Sequence, residues 1–411
     1  MAHINYNRNV SYTNRYSLYD LLPQNNYTAG FAALCGSDDQ RRQAGLLGIS
    51  RCAGRIGIVV LQNDPVFAAS LSAVRSPVTH TAPRILNVNP IGGDCFYDPF
   101  YGSSDKAVLN TLIPSEGAGY GAVPPITLRG NLSAYLDIMR SRFEMDATPF
   151  GDYPFSLDLL RELVRMPVHQ LNDSVLRFLP PQARERIYST LSRENAQQQV
   201  CDLVDCYAKE LNNRLWRFRG FGGHTQISVI EAVRRRQLIV ISVPTGNETV
   251  MRTVAEELNE LREYGVPFLL TVCNVPLASS PQIRRLFTDA HRSLNYSTGL
   301  LEENISRFSD NSADIASLLT EQGEVLIFQS RTASQAAPLS DAFGSYYRIV
   351  TENSRSRHRR PFGLFSSRSV SVANHETLEN NISADELMRL GNGAVLCGNL
   401  YPTPIVIGSV T

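Results

Sequence analysis

The stretch Phe31–Ile49, FAALCGSDDQRRQAGLLGI, decides how the rest of the chain is read. A short apolar run leads into Gly36, and polar residues lead on into a segment with helical spacing. This is the layout of a phosphate-binding loop, in which backbone N–H groups curl round phosphates at the start of a helix. The chemistry does not follow the layout. Such loops read GxxxxGK[ST], with a lysine for the β/γ oxygens and a hydroxyl for Mg²⁺. Aligning Gly36 with the first glycine leaves Ser37, Asp38, Asp39 and Gln40 as the spacer. Arg41 then falls at the second glycine, Arg42 at the lysine and Gln43 at the hydroxyl position. Arg41 carries a long side chain where the backbone should approach closely. The two aspartates put negative charge where phosphates would sit, and the planar fork of Arg42 is no substitute for a compact ammonium. By itself the stretch is open to two readings: a phosphate loop that has lost its chemistry, or an ordinary strand–turn–helix.

The surroundings are those of an α/β protein. GFAALC (30–35), RIGIVVLQND (55–64) and RILNVN (84–89) are nearly continuous apolar runs. Such runs suit strands covered on both faces, as in a parallel sheet. RRQAGLLGIS lies between the first two and has a helical pattern, so the segment reads as a βαβ unit. After residue 225 the alternation resumes with RQLIVISVP (236–244), VPFLLTVCNV (266–275), EVLIFQS (324–330) and AVLCGN (394–399). The helix in ETVMRTVAEELNELREYG turns Val250, Val254, Leu258 and Leu261 inward and ends at Gly265. Residues 131–224 differ: helical spacing recurs (Leu157, Leu160, Val164; Val200, Val204, Tyr207, Leu211, Leu215), strand signals are absent, and Pro180-Pro181 interrupt. The organisation expected is a polar N-terminal arm (1–26), a first α/β part (27–130), an all-helical insertion (131–224) and a second α/β part (225–411).

Composition narrows the function classes. The chain has 411 residues, is 43% apolar and has no net charge, so a basic surface would have to be local. Only two of its 39 basic residues are lysines, Lys106 and Lys209, and neither sits in a glycine-rich loop. Its seven scattered cysteines form no CxxC pair and suit reduced thiols. No run reaches the roughly 20 apolar residues of a membrane span, and no signal-peptide core is present, so a cytoplasmic protein without membrane insertion is expected. The histidines form no HExxH pattern, GxSxG is absent, and GNGAVLCG (391–398) opens a strand, not a helix.

A second altered position accompanies the first. A phosphate-loop enzyme needs an acidic residue at the end of a buried strand to hold Mg²⁺. PFLLTVCNV, the best strand for that role, carries Cys273 and Asn274 there, both neutral and poor Mg²⁺ ligands.

The order of segments from about Phe31 to Ile407 resembles the type IV secretion coupling proteins, hexameric ATPases that recruit substrates to conjugation and effector-secretion machines. FAALCGSDDQRRQ stands at their Walker A loop, IVVLQNDP at the following strand with its Asp64-Pro65 turn, and ILNVNPIGGDCFYDPF at the asparagine-proline segment. PFLLTVCNV stands at Walker B. LFTDAHRSLNYSTGLLEENISRF resembles the next helix and strand, with Arg292-Ser293 kept. There Ser297-Thr298-Gly299 replaces Ala-Thr-Gln, so the sensor glutamine is missing. EVLIFQSRTASQAAPLSDAFGSYY and NNISADELMRLGNGAVLCGNLYPTPIVIG resemble the family's closing segments.

The resemblance implies a RecA-like P-loop NTPase fold with an inserted all-α domain. The pocket it implies, at Gly36, Ser37, Arg41, Arg42, Gln43, Asp64, Cys273, Asn274 and Gly299, is altered at Walker A, Walker B and the sensor together. The expectation is therefore a pseudo-ATPase: no catalytic residue, no metal and no cofactor, retained ATP being the alternative. Its role would be that of a cytoplasmic structural or adaptor subunit, peripheral to an inner-membrane type IV secretion complex. Its partners would be other secretion or coupling proteins, in homo- or hetero-oligomers. An atypical NTPase motor is the second reading. A nucleic-acid-binding module is the third, because SRSRHRRPFGLFSSRS (354–369) carries Arg355, Arg357, Arg359, Arg360 and Arg368 with interspersed phenylalanines. Arg234–Arg236, before a strand, read as a solvated helix end.

Overall fold

The computed structural model describes residues 15–22, 28–88, 95–113, 124–144, 157–193, 196–215, 226–243, 248–290, 295–358, 367–401 and 403–410. The apolar runs become the strands of one nine-stranded sheet. In chain order these are β1 (Phe31–Leu34), β2 (Gly57–Gln62), β3 (Ile85–Val88), β4 (Leu238–Ser242) and β5 (Phe268–Cys273). They continue with β6 (Tyr296–Glu302), β7 (Glu324–Phe328), β8 (Ala394–Cys397) and β9 (Ile405–Ile407). The spatial order is β9-β8-β7-β1-β6-β5-β2-β4-β3. From β7 to β3 every pairing is parallel. At one edge β8 pairs antiparallel with β7 and β9 antiparallel with β8, so of these strands β8 alone runs against the rest.

Residues alternate between the two faces with the period of a strand. Ala32, Leu34, Val59, Leu61, Leu270 and Val272 join one core, and Phe31, Ala33, Ile58, Val60 and Leu269 join the other. Both faces are therefore covered, which is why these strands read as unbroken apolar runs. The first core is shared with the helical segment: Leu160, Leu163, Val164, Val200, Val204 and Tyr207 belong to it. The expected helical faces are thus buried, and the helices of the segment pack on one another and on the helices Asp105–Leu112 and Glu248–Glu263. The expected boundary at residue 131 falls inside the helix Pro125–Glu144. The helix Asp105–Leu112 precedes it. The side chain of Leu215 lies outside the described residues.

The N-terminal arm differs from expectation where it is described. Arg15–Tyr16 pair in parallel with Ser409–Val410, and Leu18, Leu21 and Leu22 are buried in the second core. Their apolar side chains seal the helix Asp38–Cys52 from outside. That helix lies close to the sheet because Gly45 and Gly48 face it. A Cβ on Gly48 would stand 2.5 Å from the Phe31 ring, and one on Gly45 2.4 Å from Leu301.

Between β7 and β8 the chain builds a separate two-stranded antiparallel ribbon, Ser345–His358 with Ser367–Asn380. The reading of 354–369 as a basic loop is corrected here. Arg355 and Arg357 lie on one strand and Arg368 on the other, while Arg359 and Arg360 lie outside the described residues.

Candidate functional site

The carboxyl ends of the parallel strands gather the segments that follow β1, β2, β5, β6 and β7. In open α/β sheets this edge is where ligands bind. The loop after β1 is short: Cys35, Gly36 and Ser37 separate the strand from the helix Asp38–Cys52. Cys35 and Gly36 take left-handed backbone angles, φ 59° and 70°. Ser37 is the N-cap and forms a capping box with Gln40. Its side chain accepts from the Gln40 N–H, and the Gln40 side chain accepts from the Ser37 N–H at 3.0 Å.

This geometry changes the meaning of the alignment. Arg41, Arg42 and Gln43 are not loop residues but lie in the first turns of the helix. The N–H groups that would cradle a phosphate have partners within the chain. Cys35 donates to the Glu302 carbonyl, Gly36 to that of Gln329 (both 3.0 Å), and Ser37 to Gln40. Asp38 and Asp39 sit in the first helical turn, where negative charge complements the helix dipole.

Arg41 is buried and turns back under the loop. Its Nη1 donates to the carbonyls of Cys35 (2.8 Å) and Gly36 (2.9 Å), and its Nη2 pairs with Asp38. The inner side of the loop thus presents carbonyls to a guanidinium, the reverse polarity of an anion cradle. Arg42 reaches Asp64 with two hydrogen bonds, Nε to Oδ2 at 2.8 Å and Nη2 to Oδ1 at 3.2 Å. Asp64 also caps the helix Pro65–Ser70 by accepting from the N–H groups of Val66 and Phe67. Burial pushes the Asp64 carboxyl up, but the Arg42 bonds and these N–H groups outweigh it and hold it below its ordinary value.

Cys273 ends β5 and is buried, and burial raises its thiol further from ionisation. Asn274 follows with φ 54°, a conformation asparagine tolerates, and its carbonyl accepts from Arg307 Nη2 at 2.9 Å. Gly299 is not at this edge. It pairs with Phe31 at the start of β1, three residues below Leu34, and a Cβ there would stand 2.5 Å from the Phe31 ring. Gly299 therefore serves close packing, and its assignment to the pocket is corrected.

The residue at the end of β6, opposite Leu34, is Glu302. It is 1% exposed. Its Oε1 accepts from the N–H groups of Glu303 (3.1 Å) and Asn304 (3.3 Å) and from Arg307 (3.3 Å). Its Oε2 is buried with no partner among the described residues. Burial pushes its carboxyl up to about 7, although Arg307, the Asn304 N–H and Arg41 pull the other way. Sequence reasoning missed Glu302. The available signal was a carboxylate closing the apolar run YSTGLLE. Arg292-Ser293 lie outside the described residues.

Among the described residues, no cluster of histidine, cysteine and carboxylate side chains suits a metal ion, and no helix is long and apolar enough to cross a membrane.

No protein-family model matches the chain, and neither does any curated protein. Solved structures do. The bacterial conjugative coupling protein TrwBdeltaN70, in its unbound monoclinic form, is 12% identical, with 95% of this chain and 86% of that chain covered and a TM-score of 0.41. VirB4 of Thermoanaerobacter pseudethanolicus is 10% identical, with 92% and 88% covered and a TM-score of 0.43. The likeness is one of fold.

Proposed function

We propose that this chain is a coupling-protein-like subunit of a type IV secretion or conjugation machine that works as a structural or adaptor component and not as a nucleotide motor. The likeness of its segment order to that of the coupling proteins supports the first part of this reading. The observation that carries the non-catalytic reading is the closed β1 loop. Its N–H groups are taken by Glu302, Gln329 and Gln40, and Arg41 fills the space beneath it. A phosphate cradle works by offering unpaired N–H groups and a positive helix end to an anion. Opening this one would break a capping box and strip a buried guanidinium of its acceptors, each with a free-energy cost of about 1–3 kcal/mol. The Cys273-Asn274 pair at the end of β5 supports the same reading, since it supplies no carboxylate for Mg²⁺.

Calorimetric titration of the folded chain with Mg·ATP, at concentrations that detect high-micromolar binding, tests this. No binding heat is expected. Stoichiometric binding would overturn the proposal and bring forward the atypical-motor reading.

A further inference from the structure

The chain runs into the helical segment through Phe96–Tyr97 and out of it through Gln226–Ile227, and these two short strands pair in parallel. Both crossings are fastened to one face of the helix Glu248–Glu263. Glu257 Oε1 accepts from the N–H groups of Val229 (2.8 Å) and Ile230 (3.4 Å), just after the outward crossing, and Oε2 accepts from the Tyr97 hydroxyl on the inward one. About one turn on, Glu260 accepts from the N–H of Ser104 at 2.9 Å and from its hydroxyl at 3.0 Å. About one turn before, Thr253 meets the Tyr207 hydroxyl at 2.9 Å. Asp98, next to Tyr97, accepts from the N–H of Leu157 at 3.0 Å and so holds the start of the helix Leu157–Arg165.

Glu257 is 2% exposed, and Tyr97, Asp98 and Tyr207 are buried with it. A charge in such a place needs a cation. The groups that face it supply none. Tyr97 and Asp98 face it from the inward crossing, and Tyr207 from the helix Gln197–Leu215. The helix Val229–Arg234 brings N–H groups, its Glu231 being paired with Arg234 and Arg235. On its own helix Arg252 acts on Tyr207, and Glu260 is taken by Ser104. Among the described residues no lysine, arginine or histidine pairs with Glu257. Burial pushes its carboxyl up to about 8, and the like charge of Asp98 adds to this against the pull of the Tyr97 hydroxyl and the Ile230 and Val229 N–H groups.

We infer that Glu257 is a proton-operated latch between the helical segment and the α/β part, closed while its carboxyl is neutral and released when it ionises. Ionised, the carboxyl sits beside a like charge in a dry interior, and water reaches it when the two crossings part from the helix Glu248–Glu263. In the open form the carboxyl is solvated and titrates at an ordinary value, about 4.5. Between that value and about 8, opening releases one proton and becomes about tenfold easier per pH unit. Above about 8 both forms are ionised and the dependence ends. None of these groups belongs to the β1 loop, so the latch is independent of whether Mg·ATP binds.

The test is hydrogen exchange of the full chain, read by mass spectrometry across about pH 5.5–9 and corrected for the intrinsic pH dependence of amide exchange. Protection of the peptides that contain Leu157, Val229 and Ile230 should fall about tenfold per pH unit up to about pH 8 and level off above it. At every pH it should lie below the protection of β2 and β5, because the latch opens without unfolding the sheet. Glu257→Gln keeps an acceptor for the two N–H groups and has no titrating proton, so protection of these peptides should cease to follow pH. If that variant does not fold, Asp98→Asn carries the test: without the like charge the levelling-off moves to lower pH. Protection independent of pH in the parent, or a fall in Glu257→Gln equal to that of the parent, would overturn the latch. So would protection equal to that of β2 and β5, or an unmoved levelling-off in Asp98→Asn.

Discussion

Arg42 and Asp64 are joined by two parallel hydrogen bonds, 2.8 and 3.2 Å, that tie the first turn of the helix after β1 to the cap of the helix after β2. The arginine aligned with a phosphate-loop lysine is thus engaged by a carboxylate of its own chain. Asp64 is 6% exposed and Arg42 is partly covered, so the pair is screened less than a surface ion pair.

Asp64→Ala removes both the bidentate pair and a helix cap, and a loss of about 2–4 kcal/mol in urea unfolding is expected. Arg42→Ala should cost less, since the Val66 and Phe67 N–H groups still satisfy Asp64. The double variant should show a coupling of about 1–2 kcal/mol; strict additivity would refute the link. The native Asp64 carboxyl is held below its unfolded value, so its stabilisation is present above about pH 4 and disappears as pH falls through the native value.

Glu302 has the opposite sign. Its native carboxyl sits at about 7, above its unfolded value, so the contribution is present below about pH 4.5 and is lost as pH rises through 7. The loss amounts to at most roughly 3 kcal/mol. Glu302→Gln should flatten this decline between about pH 5 and pH 8. Stability curves of equal slope for parent and variant would show that the carboxyl does not titrate there.

Writing the missing motif into the chain should fail. In Arg41→Gly/Arg42→Lys/Gln43→Ser the three new residues occupy helix positions, and the loop before them still has only Cys35, Gly36 and Ser37. No Mg·ATP binding is expected from this variant by calorimetry. Binding that appears would mean that the loop can lengthen at the expense of the helix. Arg41→Lys alone should cost about 1–3 kcal/mol, because one ammonium cannot span both loop carbonyls and Asp38 as the guanidinium does.

Gly48→Ala sets two effects against each other. Helix propensity favours alanine by about 1 kcal/mol. The new Cβ would stand 2.5 Å from the rigid Phe31 ring, backed by the sheet. Overpacking of that kind costs about 1–3 kcal/mol, so net destabilisation is expected, relieved in part by Phe31→Leu. A melting temperature at or above that of the parent would contradict this.

Much of the sheet was legible because the strands buried on both faces leave unbroken apolar runs, while the helix Asp38–Cys52 carries its own N-cap and the helix Glu248–Glu263 its own apolar periodicity. The helical faces of Leu157–Val164 and Val200–Leu211 were legible for the same reason. The ribbon was not. Its polar, serine-rich strands lack the alternation that marks a half-buried strand, and its pairing joins Ser345 to Asn380 across 35 residues of sequence. Gly299 was misplaced because a motif alignment counts positions along one strand, whereas register against β1 decides which end of the sheet a position reaches.

The sequence by itself determined the parallel α/β character of this protein, the absence of a lysine at the β1 loop and the absence of a carboxylate at the end of β5. Local patterning and residue chemistry suffice for each. Only the tertiary structure decided that the loop is closed by its own chain, that Arg41 and Arg42 are spent on internal acceptors, and that Glu302 stands at this edge as a buried carboxylate besides Asp64. Those facts depend on which strands lie side by side. The partners that satisfy each N–H and each charge come from segments remote in sequence, and packing alone brings them together.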